Sequence, residues 1–507
     1  MISALVAMAV IVCRACIQSI TIDEADTWLA FAGRPGPSHW EAGSNNHVLN
    51  SMLIRLFTTV FGLHPLTMRM PALIGAGLYI VAATYLVCVI SERLSLRLIV
   101  FGAMVFNPFV MDYLVAARGY SLALGFLLSG MAVCLRGVGR SPKGLIRPRT
   151  AALCAGCLSL SFCSNFAFGI ASAVTFAAVA IWFCLPAQAS ACTHSMRRHC
   201  FRTAGVMAVS SVLVTWFFAG PVLLHWRKDD LIAGTRTLRG CLSSVISASV
   251  FRPNPYLVNP PLERILESLT TAPAWAAVGV FLASAVLVLV TLCVKKPVPE
   301  SAPRLRLAMW FGGIVVLTVG GHVALHRLFG ILYPVDRTAV FLAPLSTLAI
   351  GSVVAIPLAW QPAERVRGVL VAVLAAVSLY FLCCLRLTYF GEWAYNADAN
   401  RLYLVLDRYQ RSCGLRSVSA NWRYVAVLNY YRSQAGDDRI GEVPNGPQEP
   451  GNYPPGRDAY VVYYPQDEEF VKRGHLSLVY YGRATDAAIA LDPKVLAGCP
   501  DQPPPSN

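Results

Sequence analysis

The sequence predicts a polytopic α-helical membrane protein of about eleven transmembrane helices with a small C-terminal α/β domain outside the bilayer. Composition is the first observation: the 507 residues are 56% hydrophobic and only 14% charged, with a mean hydropathy of +0.55, far from the values of soluble domains. Apolar runs recur at the length that crosses a hydrocarbon core of about 30 Å. The third observation is the split of charge. Residues 1–387 hold 30 Lys/Arg against 13 Asp/Glu, and residues 388–507 hold 12 against 14, so the net +15 belongs to the apolar part. Its basic residues fall in short clusters between apolar runs, not in one solvated stripe, which argues against a nucleic-acid partner.

Spanning windows fall near 2–20, 72–90, 97–112, 119–135, 150–166, 168–186, 203–223, 274–294, 307–326, 338–359 and 368–387. The first is read as a retained helix, because no small-residue cleavage site precedes Thr21. Alternating the sides puts Arg93/Arg97, Arg136 to Arg149, Arg197 to Arg202, Lys295 to Arg306 and Arg365/Arg367 on one face. Positive loops stay cytoplasmic. The expected topology in the cell (inner or plasma) membrane therefore has a cytoplasmic N-terminus and an extracytoplasmic C-terminal domain.

Residues 1–390 form the expected membrane domain, with long outer loops at 21–71 and 224–273. Leu49, Leu53, Leu56, Phe57 and Val60 recur at helical spacing in the first loop, which predicts a helix lying in the membrane interface against lipid. Repeated prolines between Arg252 and Pro261 predict an irregular second loop. Residues 391–500 are the expected outer domain, with strands at Ala459–Tyr464, Leu476–Tyr481 and Ala487–Leu491, a helix at Tyr403–Tyr409 and a disordered tail at 501–507. Thirteen of the sixteen cysteines lie in or beside apolar runs without metal-ligand spacing and read as packing. Cys413 and Cys499 are the only two of the outer domain, and an oxidising compartment favours their pairing.

Four segments at helix ends carry candidate chemistry. Thr21-Ile22-Asp23-Glu24-Ala25-Asp26-Thr27-Trp28 opens the first outer loop. It is either a solvated helix start or the source of a carboxylate base. Asn45-Asn46-His47 precedes the interface helix, and Arg69-Met70-Pro71 opens the next span. The other two are Asp112 to Ser121, with Arg118 and Tyr120, and Tyr333-Pro334-Val335-Asp336-Arg337. Each arginine is either a snorkelling side chain or a paired donor to phosphate oxygens. His322 and His326 share a helix face and are read as helix-end groups before a metal pair.

The order and spacing of these segments resemble the glycosyltransferase C superfamily, in particular its protein-mannosyltransferase and aminoarabinose-transferase branch, over residues 1–390. Asp23-Glu24 matches the carboxylate pair that opens the first outer loop there. Asn46-His47 matches the stretch before the loop helix, and Ala117-Arg118-Gly119-Tyr120-Ser121-Leu122 the motif after the third helix. Arg337 with Phe341-Leu342-Ala343-Pro344-Leu345 matches the late arginine motif. The sequence departs from the pattern at Val48, where proline is usual, and at Ala116, where a carboxylate is common. Asn46 stands in place of a metal-ligating glutamate of some relatives. No cofactor is therefore expected, since a divalent metal lacks a clear ligand set.

The resemblance implies a membrane glycosyltransferase, a hexosyl or pentosyl transferase that moves a sugar from a polyprenyl-phosphate donor to a hydroxyl on a glycan, lipid or protein acceptor, with inversion. The implied catalytic carboxylates are Asp23 and, second, Glu24. Asn46, His47, Asp112, Arg118, Tyr120 and Arg337 are the implied substrate-binding residues, with Asp112 orienting a sugar hydroxyl or pairing with Arg118. A lipid-linked sugar flippase would also be polytopic and basic, but no internal repeat or mid-membrane helix break is evident.

Overall fold

A computed structural model describes residues 1–43, 45–139, 146–184, 194–226, 234–252, 260–268, 301–357, 361–436, 438–447 and 449–499, with a few positions between 279 and 286. Most of the expected span at 274–294, most of the proline-rich loop and the expected disordered tail lie outside these residues. Six described helices are long and apolar enough to cross a membrane, or eight if each of two bent pairs forms one span.

The first bent pair is α1 (Ile2–Ile17) followed by the segment Ile22–Ala32, which turns through 74°. It contains α2 (Ile22–Asp26) and a π-helical turn, Thr27–Ala32. The helix expected in the first long loop is α3 (Val48–Phe61), which buries Leu49, Asn50, Ser51 and Ile54 and leaves Leu56, Val60 and Phe61 exposed. Then α4 (Pro65–Ile90) starts seven residues ahead of the expected span, at a proline whose missing N–H costs nothing in a first turn. The expected span 97–112 is two helices, α5 (Leu94–Val105) and α6 (Pro108–Val115), bent by 62°. Pro108 cannot donate to the preceding turn, and the Asn107 side chain caps the new helix by accepting from Phe109 N at 3.0 Å.

Next come α7 (Tyr120–Gly139), α8 (Pro148–Ser164), α9 (Gly169–Cys184), α10 (His194–His225), α11 (Leu238–Ser249) and α12 (Pro260–Ser268). The helices Ser301–Phe329, Leu342–Val354 and Gln361–Cys383 complete the described bundle. Small residues let α4 and α7 approach closely: a Cβ on Gly75 would strike the Ser121–Leu122 backbone, and one on Gly125 would strike Gly75 O. The Ser121 hydroxyl donates to Ala72 O at 2.6 Å across the same contact.

The C-terminal domain contains a four-stranded sheet of order β1-β2-β4-β3, made of β1 (Val418–Ala420), β2 (Ala459–Tyr463), β3 (Ser477–Gly482) and β4 (Ala487–Leu491). The pair β1–β2 is parallel and the other two pairs are antiparallel. The alternation of β2 sends Ala459 and Val461 to one face and Tyr460 and Val462 to the other, and both faces are covered. Helices Ala399–Cys413 and Trp422–Ala435 cover the first, in a core that also takes in Ile20, Ala25, Ile54, Met68 and Ala117 of the membrane part. The C-terminal domain and the segments around the first loop therefore share one hydrophobic core.

Cys413 and Cys499 are bonded across a separation of 86 residues. Replacing both with serine is expected to lower the stability of the outer domain by about 2–5 kcal/mol. A linked Cys413–Cys499 peptide in a non-reduced digest is the expected observation, and two free thiols would contradict it.

Candidate functional site

The segment after α1 is fixed by a buried ion pair. Thr21 and Glu24 form a reciprocal capping box: Glu24 N donates to Thr21 Oγ1 at 3.2 Å and Thr21 N to Glu24 Oε2 at 3.0 Å. Arg69, fully buried on α4, holds both Glu24 oxygens, with Nε to Oε1 at 2.9 Å and a terminal nitrogen to Oε2 at 2.8 Å. Ala117 N donates to Oε1 as well, at 2.8 Å. The remaining Arg69 donors go to the carbonyls of Ala15, Gln18 and Ser19, which α1 leaves open at its end. Burial opposes the Glu24 charge, but Arg69 and the backbone donors outweigh it and hold the carboxyl below its ordinary range. Glu24 is thus neither solvated nor free, and the structure makes it a structural anchor.

That anchor orients Asp23, one residue earlier, toward two arginines. Asp23 Oδ2 lies 2.8 Å from an Arg337 terminal nitrogen and 3.9 Å from Arg118 Nε. Arg118 is 1% exposed and donates to Thr27 Oγ1 at 2.7 Å, to Asn45 Oδ1 at 2.7 Å and to Asp23 O at 3.2 Å. Gly119 follows it with φ +75, and a Cβ there would meet Ser164 O, so the turn that aims Arg118 requires glycine. Arg337 follows Asp336, whose φ of +45 is rare for a residue with a side chain. Ser244 of α11 steadies that turn by accepting from Asp336 N at 2.8 Å.

His47 lies at the head of α3, 4% exposed, with its ring edge-on to Tyr120 at 5.4 Å. Burial first, then Arg118 and Arg337, hold its imidazole well below the ordinary histidine range, so it is neutral at neutral pH and can donate but not carry charge. Among the described residues Asp23 Oδ2, Arg118 Nε and His47 Nε2 are buried without an aligned hydrogen-bond partner. Arg118 Nε and His47 Nε2 lack a partner and Asp23 Oδ2 is held only by its ion pairs with Arg337 and Arg118, the pattern of a site that a ligand completes.

Two of the expected binding residues are engaged elsewhere. Asn46 donates to His39 O at 2.9 Å and Glu41 O at 2.8 Å and accepts from Ser51 at 2.9 Å, which makes it a loop clamp. Asp112 does not pair with Arg118. Its Oδ1 takes Arg14 at 2.5 Å, and its Oδ2 takes Gly391 N at 2.8 Å with Arg386 at 3.5 Å. It fixes the chain that leaves the last spanning helix. His326 contacts Ile331 O at 2.9 Å and His322 stacks on Phe341. Among the described residues no group of three His, Cys, Asp or Glu is placed to hold a metal ion. Asn46 spends both amide hydrogens on the loop and its oxygen accepts from Ser51, while Asp23 faces two cations, a poor fit for a divalent ion.

The sequence reading missed Glu392. It reaches Arg337 at 2.5 Å and accepts a short hydrogen bond from the Tyr113 hydroxyl, while Arg337 lies 6.0 Å over the Trp393 ring. Nothing but its place in the first hydrophilic stretch after the last apolar run could have drawn attention to it. Asp26 was noticed but given no part. Burial, then Asp23, push its carboxyl up to about 6, against the pull of Arg118.

A carboxyl raised on folding favours the native state below its unfolded pKa, near 4, and loses that contribution as pH rises through about 6. Asp26→Asn removes this dependence. Relative to the parent, its stability is expected to gain progressively between pH 4 and 6 and to gain no more above that. Thermal unfolding in micelles at several pH values measures it, and a constant difference across the range would contradict it.

No protein-family model matches the chain, and no curated protein matches it in sequence. It is similar to the solved structure of ArnT from Cupriavidus metallidurans bound to undecaprenyl phosphate, at 12% identity and a TM-score of 0.42, over 96% of this chain and 97% of that one. It is also similar to the arabinofuranosyltransferase AftD from Mycobacteria, at 17% identity and a TM-score of 0.43, over 89% of this chain but 33% of that one. The archaeal oligosaccharyltransferase AglB from Archaeoglobus fulgidus, in complex with an inhibitory peptide and a dolichol-phosphate, matches at 10% identity and a TM-score of 0.40, over 93% and 68%.

Proposed function

We propose that this chain is a membrane glycosyltransferase of the glycosyltransferase C type, which transfers a sugar from a polyprenyl-phosphate donor to an acceptor hydroxyl on the outer face. The observation that carries the proposal is the buried carboxylate of Asp23 between two guanidinium groups delivered by separate parts of the fold, Arg118 from the α6–α7 turn and Arg337 from the turn before Leu342–Val354. Transfer from a phosphate leaving group needs that pairing of a base with fixed cations. Nucleotide sugars are cytosolic, so an outer site requires a donor that arrives through the bilayer.

In the proposed reaction the acceptor oxygen bonds to the anomeric carbon and gives its proton to Asp23. The bond from that carbon to the phosphate oxygen breaks, and its electron pair leaves on polyprenyl phosphate. Negative charge grows on the phosphate in the transition state, where the preorganised guanidinium donors Arg118 and Arg337 stabilise it most. Neutral His47 and Tyr120 line the same place as hydrogen-bonding and stacking partners. One displacement inverts the anomeric configuration.

Arg118→Ala and Arg337→Ala are each expected to raise the donor KM and lower turnover by at least about tenfold, because a charge-assisted pair to phosphate is lost. Lysine at either position is expected to restore little, since one ammonium cannot form paired bonds to phosphate oxygens. Initial rates against donor concentration decide the point. Unchanged KM and kcat in both alanine variants would return these arginines to a packing role.

A further inference from the structure

Glu392 adds a third carboxylate to the site and competes for the cation assigned to phosphate. The same Arg337 nitrogen lies 2.8 Å from Asp23 Oδ2 and 2.5 Å from Glu392 Oε1. We propose that Glu392 occupies on Arg337 the position that a phosphate headgroup takes, so that headgroup binding displaces this carboxylate and Glu392 sets the affinity of the site for phosphate. The inference rests on the assignment of Arg337 to phosphate binding.

Charge bookkeeping supports it. Arg118 and Arg337 bring two positive charges, Asp23 and Glu392 two negative ones, and Asp26 part of a third, while buried His47 adds none. A phosphate entering this arrangement meets no uncompensated cation and at least two like charges, which repel it strongly at a partly buried site. One carboxylate has to yield.

Asp23 is the worse candidate to move. Its side chain is 13% exposed, it sits in the first turn of α2, and the Glu24–Arg69 anchor fixes the adjoining residue. The Glu392 side chain is 37% exposed and belongs to an irregular stretch between the last spanning helix and the outer domain. Its neighbours are pinned, Gly391 by the Asp112 carboxylate and Trp393 by burial to 2%. The backbone there can stay in place while the side chain rotates to solvent, and Tyr113 loses only a hydrogen bond that the headgroup can replace.

The test is equilibrium binding to the purified full-length chain in micelles, with a short-chain polyprenyl monophosphate and, separately, inorganic phosphate as probes. Glu392→Gln is expected to bind the lipid probe about tenfold more tightly than the parent. Glu392→Asp, too short to span to Arg337, should shift in the same direction and provides a second variant if the first folds poorly. The same gain with inorganic phosphate shows that the headgroup alone competes with Glu392, and a gain confined to the lipid probe shows that the hydrocarbon chain is needed to reach Arg337. Weaker or unchanged lipid binding in both Glu392 variants, alongside weakened binding in Arg337→Ala, would overturn the inference and leave the proposed function standing. Unchanged binding in Arg337→Ala would instead remove the phosphate assignment on which both depend.

Discussion

Asp23→Asn is expected to leave the protein folded and able to bind a polyprenyl-phosphate donor while lowering turnover by about 10² or more, the scale of a lost general base. Asparagine keeps the size and one carbonyl oxygen, so a contact from the Arg337 guanidinium can persist without the counter-charge, and the Thr27 bond to the residue 23 carbonyl is untouched. What disappears is the only carboxylate of the site that is both buried and within reach of Arg118 and Arg337. Donor binding falls little on this view, because removing a negative charge near the phosphate does not weaken it. Product formation and donor affinity therefore separate in this variant. Loss of both together would place Asp23 in the binding of donor.

Glu24→Ala is expected to act on the fold. Arg69 is 0% exposed, and without Glu24 it keeps three carbonyl contacts but no counter-charge. Removing one partner of a buried pair costs about 3–5 kcal/mol, enough to lose most of a marginally stable protein. The same pair ties α1, α2, α4 and the Ala117 backbone together, so the damage spreads to the segment bearing Asp23. Folded yield after membrane extraction and unfolding temperature measure it. The double variant Glu24→Ala/Arg69→Met, which removes the stranded charge, is expected to recover much of the loss. A Glu24→Gln protein with parental stability and no turnover would give Glu24 back a chemical part.

The positions of most of the described apolar helices are legible in the sequence because hydropathy and span length are local quantities. The chain break at Asn107-Pro108 was also written there, in a capping residue followed by a proline, but a window of averaged hydropathy passed over it. The capping box Thr21-x-x-Glu24 was equally visible and was read only as acidic residues near a helix start, which hid the structural part of Glu24. Its partner Arg69 lies 45 residues away, and Asp112 finds Arg14 at a separation of 98. No spacing rule connects such residues, since buried charges are paired by tertiary folding. Glu392 escaped for the same reason, at 55 residues from Arg337. In the outer domain the three longer strands were readable from alternation, whereas three-residue β1 is too short to show a period. That the domain shares its core with the first loop follows from Ile20, Ala25 and Met68 meeting Leu402, Leu406 and Tyr430, a contact between segments more than 300 residues apart.

The measurement closest to the central claim uses purified protein in liposomes carrying a polyprenyl phosphate labelled in its sugar. Time-dependent release of polyprenyl monophosphate and transfer of the labelled sugar to an acceptor hydroxyl are expected, with the transfer lost in Asp23→Asn and no nucleotide sugar able to replace the lipid donor. Movement of intact labelled lipid between leaflets without cleavage of its sugar–phosphate bond, in parent and Asp23→Asn alike, would contradict it.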